Sequence, residues 1–196
     1  MWVLEITLPI MTTIIVLGVI VVAILWIVGA YNKFIKLINR AKEAWSDIEV
    51  QLKRRYDLIP NLISTVKGYA SHEAGTLQKV TEARTAAMGA QSVEEHAQAE
   101  NMLTGALKSV FALSEGYPDL KASENFVELQ KELSDTENKI QASRRFYNTN
   151  VRDLNIGVQS FPGSIIANVF KFEEMNLFEL SEDEREVAEK APEVKF

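Results

Sequence analysis

The hydrophobic pattern opens with an unbroken apolar stretch. Between Glu5 and Lys33 lie 27 consecutive uncharged residues, most of them Ile, Val, Leu, Ala or Gly. Taken as a helix, residues 10–31 would extend about 33 Å, enough to cross a hydrocarbon core of roughly 30 Å. Pro9 suits a helix start, and Trp26 and Tyr31 suit a membrane interface. The pattern predicts a transmembrane helix over 10–31 behind a short N-terminal segment, 1–9. A cleaved signal peptide is the rival reading, with Val28-Gly29-Ala30 as its cleavage site. No positive charge precedes the apolar run, and the run is too long for a signal core.

A helical stripe comes next. Tyr31, Phe34, Ile38, Ala41, Trp45, Ile48, Leu52, Arg55, Ile59, Leu62, Val66 and Tyr69 recur at spacings of three or four, as on a helix packed along one side. Because the stripe begins inside the apolar run, the membrane helix is expected to continue into the next domain without a linker. Pro60 is expected to bend it. Leu77, Val80, Arg84 and Ala87 mark a second stretch ending at Gly89. Ser92-Val93-Glu94-Glu95 reads as a capping box, opening a helix with Ala99, Leu103, Leu107 and Val110 that stops at Gly116-Tyr117-Pro118. Ser123 then starts a helix of about 38 residues, some 57 Å long, that Pro162-Gly163 ends. The fold predicted is all-α: an N-terminal transmembrane helix continuing into an up-and-down bundle of three to four long helices over 32–178. An acidic C-terminal tail, 179–196, completes the chain.

Charge refines this picture. The chain has 196 residues, with 21 Lys and Arg against 27 Asp and Glu. Most of the excess lies in the tail, where Glu179–Phe196 holds seven acidic and three basic residues, a net of −4. Before the apolar run there is only Glu5, while Lys33, Lys36, Arg40 and Lys42 come after it. The positive-inside rule then places the N-terminus outside and the bundle in the cytoplasm; the opposite face is the alternative. An acidic balance disfavours nucleic acid as a partner.

Candidate chemistry is sparse. The absence of cysteine removes disulfides, thiolate metal sites and a Cys nucleophile, and two histidines make a multi-His centre unexpected. His72-Glu73 begins a zinc-protease motif, but Thr76 stands where the second His would be needed. His96 is expected in solvent. Carboxylates such as Glu128 and Glu132 suit an exposed helix face. Neither an enzyme nor a cofactor is expected.

Interaction features are richer. Arg55 falls in the apolar stripe, so its burial would require a partner across helices, such as Glu137. The alternative is a solvated face with intrahelical pairs, Arg144 with Glu137 or Arg145 with Gln141. Thr136, Ser143 and Asn150 or Val151 lie in the stripe of the long helix, where polar residues fix register. Phe170, Phe172, Met175, Leu177 and Phe178 form an aromatic-rich patch that either folds back on the bundle or meets another subunit or the membrane interface. Pro192, Val194 and Phe196 alternate as in an extended docking segment.

Three segments together carry a family resemblance: QLKRRYDLIPNLISTVKGYASHE (51–73), YPDLKASENFVELQKELSDTENKIQASRRFYNTNVRDLN (117–155) and FPGSIIANVFKF (161–172). With Ala44-Trp45-Ser46 before them and the PEVKF end after them, the sequence resembles the LemA family of bacterial membrane proteins. The residues that carry the resemblance include Trp45, Arg54, Arg55, Asp57, Pro60, Asn61, Glu137, Asn138, Arg144, Arg145, Tyr147, Asn148, Phe161, Pro162, Phe170 and Phe172, which become candidate structural or interaction positions. Leu154 stands where the family usually has Tyr. Lys171 stands where Gly commonly separates the two Phe, which argues against a tight turn there. The resemblance implies one membrane helix and a cytoplasmic bundle, without a reaction. Members occur near membrane proteases and envelope proteins, and one relative is associated with magnetosome membranes. The expectation is a membrane-anchored scaffold that forms homo-oligomers, or alternatively an adaptor that recruits another membrane or envelope protein through the tail.

Overall fold

The structure is a computed structural model that describes the backbone of residues 2–178 and the side chains of residues 11–178. Among the described residues it contains six α-helices and no strand: α1 (Trp2–Tyr69), α2 (Ala74–Gly89), α3 (Val93–Ser114), α4 (Pro118–Lys121), α5 (Glu124–Gln159) and α6 (Gly163–Phe170). The all-α fold with a long apolar N-terminal helix is the one the periodicity predicts.

Two details differ from expectation. Helix α1 begins at Trp2, ahead of Pro9. Pro60 lies within α1, which runs on to Tyr69. Helix α5 stops at Gln159, and after a cis Phe161–Pro162 peptide the Pro162-Gly163 pair opens a further helix, α6.

The chain divides into two compact units. One combines the residues up to Ala41 with Asn150–Met175; the other combines Lys42–Thr149 with the chain from Asn176. In the first, Phe34, Leu154, Ile166 and Ala167 form a small buried core, flanked by Leu37, Ile38, Val158 and Phe172. The Phe172 ring stacks on Phe34 with centroids 4.9 Å apart. The apolar stretch of α1 exposes its side chains and is long and apolar enough to cross a membrane.

The second unit is the helical bundle. Its core takes Ile48, Leu52, Ile59, Leu62 and Val66 from α1, Leu77 and Val80 from α2, Leu103, Leu107 and Val110 from α3, and Phe126, Leu133, Ile140 and Tyr147 from α5. These positions recur every three or four residues, so each helix buries one face. Helix α3 starts with the predicted capping box, in which the Ser92 hydroxyl accepts from the Glu95 amide and the Glu95 carboxylate accepts from the Ser92 amide. Helices α2 and α3 pack against each other.

Candidate functional site

The stripe of α1 carries Arg55 into the bundle interior, where it is 3% exposed. Its guanidinium meets two carboxylates: Nη1 lies 3.1 Å from Glu100 Oε2 on α3 and 3.0 Å from Glu137 Oε2 on α5. Nη2 donates to the Thr104 hydroxyl at 2.7 Å. The neighbouring Tyr56 hydroxyl donates to the other oxygen of Glu100. One cation on α1 thus ties α3 and α5 together, and each buried oxygen of Glu100 has a donor. The expected Arg55–Glu137 pair is present; Glu100, 2% exposed, is a second acid beside it.

The electrostatics derive from burial. Removal from water pushes the Glu100 carboxyl above its ordinary range, while the Arg55 charge and the Tyr56 hydrogen bond pull it back and Glu137 pushes it up again. Burial, then the adjacent Glu100 carboxylate, raises the Tyr56 phenol far above its usual value. Tyr56 therefore stays a protonated donor across the physiological range. A buried ion pair of this kind adds little net stability over apolar packing, but removing one partner is costly.

Pro60 belongs to the same construction. Lacking an amide hydrogen, it leaves the carbonyl of Tyr56, four residues earlier, without its helical donor. The Nε of Arg84, reaching from α2, donates to that carbonyl at 2.9 Å. The gap in the α1 hydrogen-bond ladder is thereby used to hold α2.

A second cluster surrounds Trp45. Its indole makes edge contacts with Tyr147 at 5.4 Å and with His96 at 5.5 Å, and a tilted contact with Phe178 at 5.8 Å. The Arg144 guanidinium lies 4.4 Å from the centre of the Phe178 ring, a cation–π contact. His96 is not the solvent-exposed residue its neighbours Glu94 and Glu95 suggest. It is half-buried against Trp45 with its Nδ1 atom enclosed and unpaired, and burial lowers its pKa, opposed by Glu49 and Glu95.

The chain beyond α6 has no regular secondary structure and is held by asparagine side chains. In the bundle unit, Asn148 donates to the Phe178 carbonyl at 2.9 Å and accepts from the Phe178 amide at 2.8 Å, while the Tyr147 hydroxyl donates to the Asn176 carbonyl at 2.9 Å. In the other unit, Asn155 makes the same two bonds with Met175, at 2.9 and 3.0 Å. Each carboxamide acts as one rung of a strand ladder, satisfying both polar groups of a residue that lacks secondary structure. Ahead of this strap, Lys171 adopts left-handed backbone angles, φ 56° and ψ 45°, and Phe172 donates its amide to Ala167. The tight turn between Phe170 and Phe172 therefore forms without glycine, correcting the expectation drawn from Lys171.

Of the remaining candidates, Arg54 lies 4.0 Å from Glu132, and Asp57 pairs with Lys53 at 3.5 Å, both exposed pairs of little energetic weight. Asn61, Asn138 and Arg145 are exposed, as are Phe161 and Pro162. Phe170 and Phe172 meet Tyr31, with centroids 5.0 and 5.4 Å apart. Pro192, Val194 and Phe196 lie outside the described residues. Sequence reasoning passes over Glu100, Tyr56, Thr104 and Asn155. A signal for Glu100 exists: 100, 103, 107 and 110 continue one another at core spacing, with the acid in place of Ala99. Asn155 comes seven residues after Asn148, but nothing in an isolated helix shows that a strap will cover both.

Comparison with known proteins agrees with this architecture. Residues 44–196 match the LemA family. The chain is 30% identical over 163 residues to Protein LemA of Metamycoplasma hominis, an alignment covering 81% of this chain and 73% of that protein. It is 21% identical over 174 residues to Magnetosome protein MamQ of Magnetospirillum gryphiswaldense, covering 76% of this chain and 64% of the relative, just under two thirds of its length. With the family match covering most of the chain and the first relative aligned along most of its own length, the protein belongs to the LemA family.

Proposed function

We propose that the protein is a membrane-anchored helical scaffold that self-associates and organises membrane or envelope partners without catalysis, with its bundle on the cytoplasmic side. The observation that carries this reading is α1. One helix, Trp2–Tyr69, supplies the apolar stretch and then the residues that hold the bundle together, Arg55 included. Anchor and bundle share a backbone with no linker. The buried charges favour the same reading, since they are engaged with one another across helices. The similarity to a protein named for the magnetosome supports service to a membrane compartment. Light scattering of the full-length protein in mild detergent, corrected for the micelle, tests self-association. A discrete oligomer is expected, and a monomer at all concentrations would overturn it.

A second reading, an adaptor working through the C-terminal tail, is favoured by the strap, which fixes the chain at Phe178, just ahead of the tail in sequence. Deleting residues 190–196 would then abolish co-purification of a partner protein while leaving helical content unchanged. Unchanged co-purification would remove the tail from consideration.

A further inference from the structure

We propose that the turn at 160–163 and helix α6 form a second membrane contact, lying in the headgroup–acyl boundary beside the spanning helix. From Leu154 to Phe170, through the end of α5, the turn and α6, the chain has 17 residues without a charge. One face of α6 is used: Ile166 and Ala167 are buried in the core with Phe34 and Leu154. The other side is uncovered and carries large apolar side chains, with Asn168 and Ser164 as its polar edge. Phe161 is 81% exposed and Val169 67%, with Ile165 between them also exposed. These three stand four residues apart, so Ile165 and Val169 share one side of the helix with Phe161 just ahead of it. Elsewhere in the chain such contiguous exposure occurs along the apolar stretch of α1.

The neighbours of this face within the same unit indicate its cover. Pro162 and Gly163 line a cleft of about 390 Å³ with Trp26, Gly29, Ala30 and Phe34, and Phe170 rests on the ring of Tyr31. Trp26 to Phe34 is the part of α1 where the uncharged stretch gives way to Lys33 and Lys36. Helix α6 thus stands at the level where the spanning helix leaves the hydrocarbon, beside the two aromatic side chains suited to that boundary. An apolar face there is continuous with the lipid-facing surface of α1, and a lipid surface satisfies it as it would an interfacial amphipathic helix. Lys33, Lys36 and Lys171 supply cations for anionic headgroups at the same level; Asp153, Glu173 and Glu174 are the nearby acids in sequence.

This inference rests on reading α1 as a membrane span, and the experiment separates the two. The chain has no cysteine, so single-cysteine variants of the full-length protein can each carry one environment-sensitive fluorophore in phosphatidylcholine–phosphatidylglycerol vesicles. Phe161→Cys and Val169→Cys report on α6, Leu17→Cys on the span and Met102→Cys on the bundle surface. Blue-shifted emission and loss of most fluorescence to nitroxide-labelled lipid at 161 and 169, with neither at 102, is the expected result. Water-like emission at 161 and 169 while the Leu17 label is quenched would overturn the second contact and leave the span intact. Labels at 161 and 169 shielded from aqueous iodide yet untouched by lipid nitroxide would show a second protein copy on this face and overturn it as well. A Leu17 label unquenched by lipid would overturn the span and the second contact together.

Discussion

The two units fill their interiors in opposite ways. The bundle surrounds a charged centre, Arg55 with Glu100 and Glu137, by a shell of aliphatic side chains and presents polar helix faces outward. The unit built from the start of α1, the end of α5 and α6 has an apolar core and an outer face that is apolar again. An aliphatic core alone tolerates many packings of similar energy, so each unit needs something that only one arrangement satisfies. In the bundle this is ionic, three side chains that must find each other. In the other unit it is steric: a β-carbon on Gly163 would stand 2.6 Å from the carbonyl oxygen of Gly157, so the backbones meet where a side chain would not fit. Charge serves where the surroundings are water, and close backbone approach serves where the outside is itself apolar.

The charged centre is the part of this comparison with most to lose. Arg55→Met would leave Glu100 buried beside Tyr56 without its cation, and a loss of about 3–5 kcal/mol is expected. Urea denaturation of the detergent-solubilised protein, monitored by circular dichroism, measures it. The double variant Arg55→Met with Glu100→Leu should recover a large part of that loss, because the one carboxylate left without its partner, Glu137, is partly exposed to water. A single variant as stable as wild type would show that the ion pair does not hold the bundle.

The same centre gives a pH dependence of known sign. Burial holds the Glu100 carboxyl above its ordinary range, so the folded state binds that proton more tightly than the unfolded chain. The group's contribution is full below the unfolded value of about 4.3 and is lost as pH rises through the raised folded value. The stability of wild type relative to Glu100→Gln should therefore shift toward wild type as pH falls from neutrality toward about 4.3. A shift in the other direction would mean that attraction to Arg55 outweighs burial.

The steric counterpart is Gly163→Ala. The added methyl meets backbone at Gly157 rather than a movable side chain, and overpacking of this kind costs about 1–3 kcal/mol. Gly157→Ala should cost less, since its nearest neighbour is the Phe34 ring at 3.2 Å. Thermal melts of both variants test the order. If the two are equal, the backbone contact is not what fixes this unit.

How much of this could be read from the chain depends on how far apart the cooperating residues lie. The helices and the apolar span come from local spacing, and Arg55 in an apolar stripe already demands an acid. Glu137 is reachable because α5 has a clear stripe. Glu100 is obscured by Ala99, which completes a nearly equal stripe one residue away, and small residues leave the phase of a helix face ambiguous. Helix α6 is hidden because Pro162-Gly163 reads equally well as a helix stop and a helix start. The strap is beyond reach: its bonds join Asn148 and Asn155 to backbone groups 30 and 20 residues away, and a backbone group has no sequence signature.

Those two clasps offer a finer comparison, since each unit contains one. Asn155→Ala removes two hydrogen bonds to Met175, and Asn148→Ala two to Phe178, each change expected to cost about 1–2 kcal/mol. The effect should be local. Hydrogen exchange of the Met175 amide should accelerate in Asn155→Ala, and that of Phe178 in Asn148→Ala, with little change in the helices. Acceleration at both sites in either variant would mean that the strap detaches as one piece.

The smallest effect isolates a single backbone conformation. Lys171 holds left-handed angles that cost a residue with a β-carbon roughly 1 kcal/mol. Glycine would remove that cost but lose more freedom on folding, and it would also remove a cation from the end of α6, where the helix dipole favours positive charge by about 0.3–1 kcal/mol. Lys171→Gly alone therefore mixes opposing contributions. Lys171→Ala removes the charge and keeps the strain, so the difference between the Gly and Ala variants reports the conformational part. Lys171→Gly should exceed Lys171→Ala by about 0.5–1 kcal/mol in thermal stability. Equality would show that the turn is imposed at no cost by Phe172 packing on Phe34 and Tyr31. In that case the aromatic contacts, rather than the backbone preference at position 171, decide where the strap begins.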